Sequence, residues 1–383
     1  MTYLGKIVYL DNSATTPVCE QAAAEINGAL TVDFANPSAL HMLGFNAEKR
    51  VSRARKAIAE MLGARDEEIY FTSGGTEGNN TAIFGAAYAR KKRGNRIVTT
   101  AIEHPSVLEP IKRLEAEGFE VIRLKPESDG TLSEESITAA INDKTVLVSI
   151  MFVNNETGAI LPVSAARRAI DNTGAPAILH CDCVQAFGKI PVNARALGAD
   201  IITASAHKIH GPKGIGFVYV KSGVTIKPLI LGGGQEKGFR SGTEPVPAIC
   251  GFFGAVKAIG DMGENLKTAK ELRDRAAKKL LDTGYVKINS PDDALPYVLN
   301  FSVPGYRSET MLHFLEKRGI YVSSGSACSK GKGSYVLGEM GLPRERVDSA
   351  IRVSFSRYNT LHDIDALTVA IEAAVISLRR AKQ

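Results

Sequence analysis

Between residues 68 and 220, short runs rich in β-branched and apolar residues alternate with longer amphipathic stretches. This alternation constrains the fold more than any other feature of the chain. Strands are expected at 68–72, 96–100, 119–124, 145–151, 177–182, 200–205 and 216–220, with helices at 76–92, 105–117, 133–141 and 163–172 between the earlier ones. Strands separated by about ten or more helical residues cannot pair as hairpins and need crossovers, so a largely parallel sheet covered on both faces is predicted. The class is α/β. Upstream, residues 7–10 read as a further strand. After the glycine-rich Gly232-Gly-Gly-Gln-Glu-Lys-Gly238 the pattern changes to a helix over 263–281, strand-like pieces at 297–302 and 319–323, and a last helix over 361–380. That change predicts a second, smaller domain, which 383 residues can support because a single core seldom grows past roughly 250–300 residues.

Composition narrows the class. With 44% hydrophobic and 23% charged residues the chain is ordinary globular protein, neither disordered nor fibrous. Its net charge of +6 is interspersed along the chain, which fits a solvated surface better than a nucleic-acid footprint. Five cysteines without regular spacing argue against a disulfide framework and for a reducing compartment. The opening Met-Thr-Tyr-Leu-Gly-Lys has no charged-then-apolar leader, and no apolar run approaches bilayer length, so a cytoplasmic protein is expected.

In open parallel sheets, ligands bind beyond the carboxyl ends of the strands, so the residues just after each run are the candidates. After 200–205 the chain reads Ser205-Ala-His207-Lys208-Ile-His-Gly211-Pro-Lys213-Gly214, which puts a lysine at the end of a buried strand. Partial burial beside other cations favours the neutral amine, which attacks aldehydes, and the usual aldehyde for such a lysine is pyridoxal phosphate, PLP. After 68–72 comes Ser73-Gly74-Gly75-Thr76-Glu77, which reads either as a phosphate-holding helix start or as a plain one capped by Ser73. Glu103-His104-Pro105 offers a histidine that is either a simple loop residue or a ring that stacks on an aromatic cofactor and moves protons. Asn154-Asn155-Glu156-Thr157-Gly158 suits turns as well as ligand contacts. Asp182 ends an apolar strand and needs a counter-charge there, from a pyridinium nitrogen or from an Arg or Lys.

The cysteines divide into two kinds. Period-2 geometry puts Cys181 and Cys183 on the strand face opposite Asp182, where they read as buried apolar thiols rather than metal ligands; Cys250 reads as core, and no metal is expected. Cys328, in Ser323-Ser-Gly-Ser-Ala-Cys328-Ser-Lys-Gly-Lys-Gly333, has no apolar wall to bury it, and Lys330 and Lys332 favour its thiolate.

Phosphate loop, histidine, aspartate, lysine and cysteine follow one another in the order found in the cysteine desulfurases. Over nearly its whole length the chain resembles the NifS/IscS-like members of the class V aminotransferase family. The segments that carry the likeness include Leu10-Asp-Asn-Ser-Ala-Thr-Thr-Pro17, Asn36-Pro-Ser38 with His41, residues 72–80, Asn154–Gly158, residues 205–216, Arg240-Ser-Gly-Thr243-Glu244 and Ile351-Arg352-Val-Ser354. The resemblance implies PLP fold type I: a large domain (15–260) with a mostly parallel seven-stranded sheet, and a smaller α+β domain (1–14 and 261–383) carrying a catalytic cysteine loop at about 323–334. It implies that Lys208 binds PLP covalently and moves protons, Asp182 pairs with the pyridine nitrogen, and Gln185, with Asn155 as a helper, contacts the phenolic oxygen. By the same resemblance His104 stacks on the ring and acts beside it. Gly75, Thr76, Ser205 and His207 bind the phosphate, and Thr243 reaches the phosphate of the partner subunit in a homodimer. Arg352, assisted by Asn155, clamps the substrate carboxylate.

The implied reaction converts L-cysteine to L-alanine and leaves the sulfur on Cys328 as a persulfide. The sulfur then passes to an acceptor protein for iron–sulfur cluster assembly, tRNA thiolation or a thio-cofactor. The loop after Cys328 is a little shorter than in long-loop relatives, and the chain stops soon after its last helix; both leave the acceptor open. A selenocysteine lyase, a PLP transaminase and a non-catalytic subunit of the same fold are the alternatives.

Overall fold

The computed structural model describes residues 7–325 and 333–380. The chain opens with β1 (Val8–Tyr9) and two helices, α1 (Glu20–Thr31) and α2 (Met42–Leu62). A run of crossovers follows: β2 (Ile69–Thr72), α3 (Gly75–Arg90), β3 (Arg96–Thr100), α4 (Pro105–Ala116), β4 (Glu120–Leu124), α5 (Glu134–Ala140), β5 (Thr145–Met151), α6 (Val163–Thr173) and β6 (Ile178–Asp182). Then come the short α7 (Ala194–Leu197), β7 (Ile201–Ser205) and β8 (Gly216–Val220). The remainder holds α8 (Val246–Lys257), α9 (Met262–Asp282), β9 (Lys287–Ile288), β10 (Val298–Ser302), α10 (Ser308–Glu316), β11 (Ile320–Tyr321), α11 (Tyr335–Glu339), α12 (Arg344–Asp348), β12 (Ala350–Ser354) and α13 (Leu361–Ser377).

Seven strands form one sheet in the order β2-β8-β7-β6-β5-β3-β4. β7, β6, β5, β3 and β4 run parallel, while β8 is antiparallel to both of its neighbours. The parallel centre is dry on both faces: every residue of β5, an apolar run broken only by Thr145 and Ser149, is buried. β4 lies at an edge, and its exposed Glu120 and Arg123 deter pairing with another chain. The side chains alternate as the period-2 rule requires. Leu179 and Cys181 of β6 join the core shared with α1, α2, α6 and α8, whereas Ile178 joins the opposite core with α3 and α4. Asp182 therefore faces the α3 side, and both cysteines lie on the other face with their sulfurs 3.5 Å apart and fully buried.

A separate three-stranded antiparallel sheet, β12-β10-β9, packs with α9, α10 and α13 around a second core that also includes Val8 and Leu10 from the start of the chain. The small β1-β11 pair stitches that start to the same core. Sequence periodicity assigns no helix before residue 68, yet α1 and α2 are there. The buried residues of α1 are alanines, because α8 crosses it closely: a Cβ on Gly254 would lie 2.6 Å from the Gln21 carbonyl oxygen. Among the described residues, no single helix is long and apolar enough to cross a membrane.

Candidate active site

A cavity of about 540 Å³ opens where the chain leaves β3, β5, β6 and β7, facing the N-terminus of α3. This is the carboxyl end of a parallel sheet, where successive strands point their outgoing turns at one place. Each element contributes chemistry. The start of α3 supplies Gly75, Thr76 and Asn79; the turn after β3 supplies His104; the turn after β5 supplies Asn155 and Glu156. Asp182 and Gln185 come from the end of β6, and Ser205, His207 and Lys208 from the end of β7. Ser13, Ala14 and Arg352 come from the segments that join the second core.

Gly74 caps α3 at φ 151°, a backbone open to glycine, and Ser73 stands one residue earlier with its N–H donating to Glu77 Oε2 at 3.0 Å, so the reading of Ser73 as the helix cap is corrected. A Cβ on Gly75 would lie 2.9 Å from a Val184 methyl carbon, so only glycine lets the helix start come this close to the β6 turn. The first amides of α3 and its positive dipole end thus border the cavity, an arrangement suited to a phosphate.

Asp182 is 5% exposed. Its Oδ1 accepts from the Val184 N–H at 2.9 Å and its Oδ2 from Asn79 Nδ2 at 2.8 Å. Neither an arginine nor a lysine forms a salt bridge with it among the described residues, so that alternative drops away; the charges favouring its ionised form are those of His104 and Lys208, which line the same cavity. Burial raises its pKa, and the hydrogen bonds oppose that shift.

The Lys208 amine donates to the main-chain carbonyls of Ser13, at 2.5 Å, and Ala14, at 2.9 Å. Burial, together with the Arg352 charge, brings its pKa down to about 8, so a useful fraction is the neutral nucleophile near neutral pH. His207 hydrogen-bonds Thr15 Oγ1 at 3.2 Å, and burial with the Lys208 charge lowers its pKa to about 4, leaving the ring neutral. The His104 ring lines the cavity with its Nδ1 engaged by the Ser106 N–H at 3.1 Å; that bond fixes the ring as the N-cap of α4 and leaves its face open. Arg352 is 3% exposed and held at both ends, by Asp11 at 2.9 Å and by the Asn155 carbonyl at 2.9 Å, while its Nε has no partner. Asn155 Oδ1 is likewise buried without a partner. Thr243 is not in this cavity but borders another, of about 200 Å³, with Ser73, Arg240 and Glu244. Cys328 lies outside the described residues, whereas Gly325 and Tyr335 on either side of its segment line the cavity.

The profile of the class V aminotransferases matches residues 8–367. The chain belongs to that family. A class V relative named cysteine desulfurase IscS, from Methanosarcina thermophila, is 39% identical over 98% of this chain and 93% of its own length. Among solved structures, one titled NifS-like protein superposes with a TM-score of 0.92 at 37% identity, covering 97% of this chain and all of the other. Another, titled SspA in complex with cysteine, superposes at 0.82 with 32% identity over 92% of this chain and 99% of the other.

Class V aminotransferases are PLP enzymes, and the cavity fits that cofactor. A glycine-only helix start faces the cavity, an aspartate without a salt-bridge partner among the described residues stands at β6, and an amine of lowered pKa stands at the end of β7. These are the three attachments that phosphate, pyridine nitrogen and aldehyde require. Sequence reasoning did not single out Asn79, Ser13 or Ala14. Asn79 stands four residues after Gly75, hence on the same face of α3, and that spacing was a usable signal. The Ser13 and Ala14 carbonyls carry no signal, because any residue can supply a carbonyl.

Proposed function

We propose that the protein is a cysteine desulfurase, converting L-cysteine to L-alanine and retaining the sulfur on Cys328. The observation that carries this reading is one cavity where Lys208, Asp182, His104 and Gln185 meet a buried, half-satisfied arginine, Arg352, beneath the two described ends of the Cys328 segment. Bound PLP would act as the electron sink for the substrate's Cα–H and C–S bonds. In this reading the Asp182 carboxylate keeps the pyridine nitrogen protonated, and Gln185 and Asn155 address the phenolic oxygen. His104 covers the ring, while Gly75, Thr76, Ser205 and His207 hold the phosphate. Arg352, which lines the cavity, binds the substrate carboxylate, with Asn155 beside it. Lys208 takes the proton from the substrate Cα once its amine is released. The Cys328 thiolate attacks the substrate sulfur, the C–S bond breaks with its electron pair on Cβ, a proton replaces the sulfur there, and alanine departs.

Four further statements belong to the same reading. The large domain spans 15–260, and 1–14 with 261–383 forms the small one, supported by a second core drawn from Val8, Leu10 and residues after 270, although Ala269, Leu295 and Val336 pack into the large core. The protein works in the cytoplasm as a homodimer. Exposed Leu30, Val32, Phe34, Leu40, Met42 and Phe45 support a partner surface, and Thr243, turned to a cavity apart from Lys208, supports a role in the partner's site. An acceptor protein then takes the sulfur.

The deciding experiment incubates the PLP-loaded protein with L-cysteine and measures alanine together with the mass of the Cys328 peptide. Equimolar alanine and a sulfur adduct are expected, and Cys328→Ala abolishes both. Alanine formation that survives Cys328→Ala overturns the reading in favour of another PLP reaction.

A further inference from the structure

One buried titratable group has no part in the mechanism above. Lys189 sits on the turn that follows β6 and is only 6% exposed. The charges acting on it are cationic, Lys208 and Arg352, and with burial as the larger cause they bring its pKa down to about 7. An ammonium group placed there without a carboxylate is costly unless something else repays the burial. Its hydrogen bond shows what that is: Nζ donates to Gln185 Oε1 at 3.0 Å, and the amine sits 5.9 Å from the centre of the Tyr297 ring. Lys189 borders a separate small cavity of about 30 Å³ and is not among the residues lining the large one, whereas Gln185 lines the large one.

As an ammonium Lys189 has donors and no acceptor, so it meets the carbonyl end of the Gln185 carboxamide, and the Ser13 carbonyl, an acceptor only, requires the same orientation. The Nε2 end then points away from Lys189, and one of its N–H groups reaches the Ser13 carbonyl at 3.0 Å. A carboxamide nitrogen carries two N–H groups, so one remains to be given. In the reversed orientation Oε1 would face the Ser13 carbonyl, acceptor against acceptor, and would turn a lone pair on any anionic oxygen bound in the cavity. We propose that Lys189 is a positioning residue that locks the Gln185 carboxamide with its nitrogen forward, so that Gln185 meets the phenolic oxygen of PLP as a hydrogen-bond donor. This rests on the reading of Gln185 as the partner of that oxygen.

The test is the pH midpoint of the visible absorbance change of the PLP-loaded protein, a property set by how strongly the phenolic oxygen is stabilised as an anion; because the Lys189 charge also acts on Lys208 directly, the double variant separates that effect from one that passes through Gln185. Gln185→Ala is expected to raise that midpoint by about one pH unit, the effect of losing one hydrogen bond to a charged oxygen. Lys189→Met should raise it in the same direction but by less, because Oε1 loses its partner while the Ser13 carbonyl still holds Nε2, and the double variant should rise no further than Gln185→Ala alone, because Lys189 acts only through that carboxamide. Lys189→Arg, which keeps a donor, should retain the wild-type midpoint. A folded Lys189→Met with an unmoved midpoint, or additive shifts in the double variant, overturns the positioning role while leaving the Gln185 role intact. If Gln185→Ala itself leaves the midpoint in place, the Gln185 role fails and this inference with it. Should Lys189→Met not fold, Lys189→Arg decides: a shift as large as that of Gln185→Ala overturns the proposal, and a wild-type midpoint supports it.

Discussion

Two carboxyl groups stand within the same wall, one at the end of β6 and one just past β3, and burial raises the pKa of both. Asp182 opens on the cavity, accepts bonds from Asn79 and from the Val184 amide, and keeps room on its cavity side. Glu103 is sealed: it has no exposed surface, its Oε1 accepts from Thr100 Oγ1 and from the Met151 N–H at 2.8 Å each, and its Oε2 has no partner. Burial takes the Glu103 pKa to about 8, against the pull of those two bonds and with a push from Asp182. At neutral pH Glu103 is therefore largely a neutral acid. The same desolvation acts on each group, and what separates them is access. A carboxylate that a cation can reach from the cavity can remain charged when the site is filled, whereas an enclosed one must take up a proton.

The sharpest way to break this contrast is Asp182→Asn. Leaving a buried cation without its partner costs several kcal/mol, so alanine formation should fall roughly 10²–10³-fold in a protein that still folds. Steady-state assay with circular dichroism reads both, and a rate within a few-fold of wild type would place the counter-charge elsewhere. Asn79→Ala probes the support rather than the charge. It removes one charge-assisted bond to Asp182, and the rate should drop about tenfold, in line with the value of such a bond.

The smallest effect on rate is expected from Glu103→Gln, because an amide supplies the same acceptor to Thr100 and Met151. Its signature lies in stability. Because the folded-state pKa of Glu103 lies above the unfolded value of 4.5, the native protein holds a proton that the unfolded chain has released between those limits. The stabilisation is then complete below about pH 4.5 and is lost as pH rises through about 8. Melting temperature measured from pH 5 to pH 8.5 should fall in the wild type and fall less in Glu103→Gln. Parallel curves would show that Glu103 is ionised in the folded protein.

Much of this site was legible before any coordinates because it hangs on strand ends. Asp182 ends an apolar run and Lys208, His104 and Asn155 stand within four residues after one, and the runs at 96–100, 145–151 and 216–220 coincide with β3, β5 and β8. The direction of β8 was not legible, since period-2 burial is identical in parallel and antiparallel neighbours. Nor were α1 and α2. Their buried faces lean on alanine and glycine, whose small side chains give little periodic contrast although they let α8 come close. Lys189 escaped for a different reason: its function depends on which end of an amide it meets, and spacing does not encode that.

Arg352 stands on β12, in a sheet built around the second core, while Lys208, Asp182 and the start of α3 stand on the large sheet. In the proposed reaction the grip on the incoming amino acid and the grip on the cofactor are thus rooted in different hydrophobic masses. A drifting lineage could therefore retune how firmly the substrate carboxylate is held by repacking Phe301, Ile351 or Leu367, while the machinery that holds the vitamin stays undisturbed.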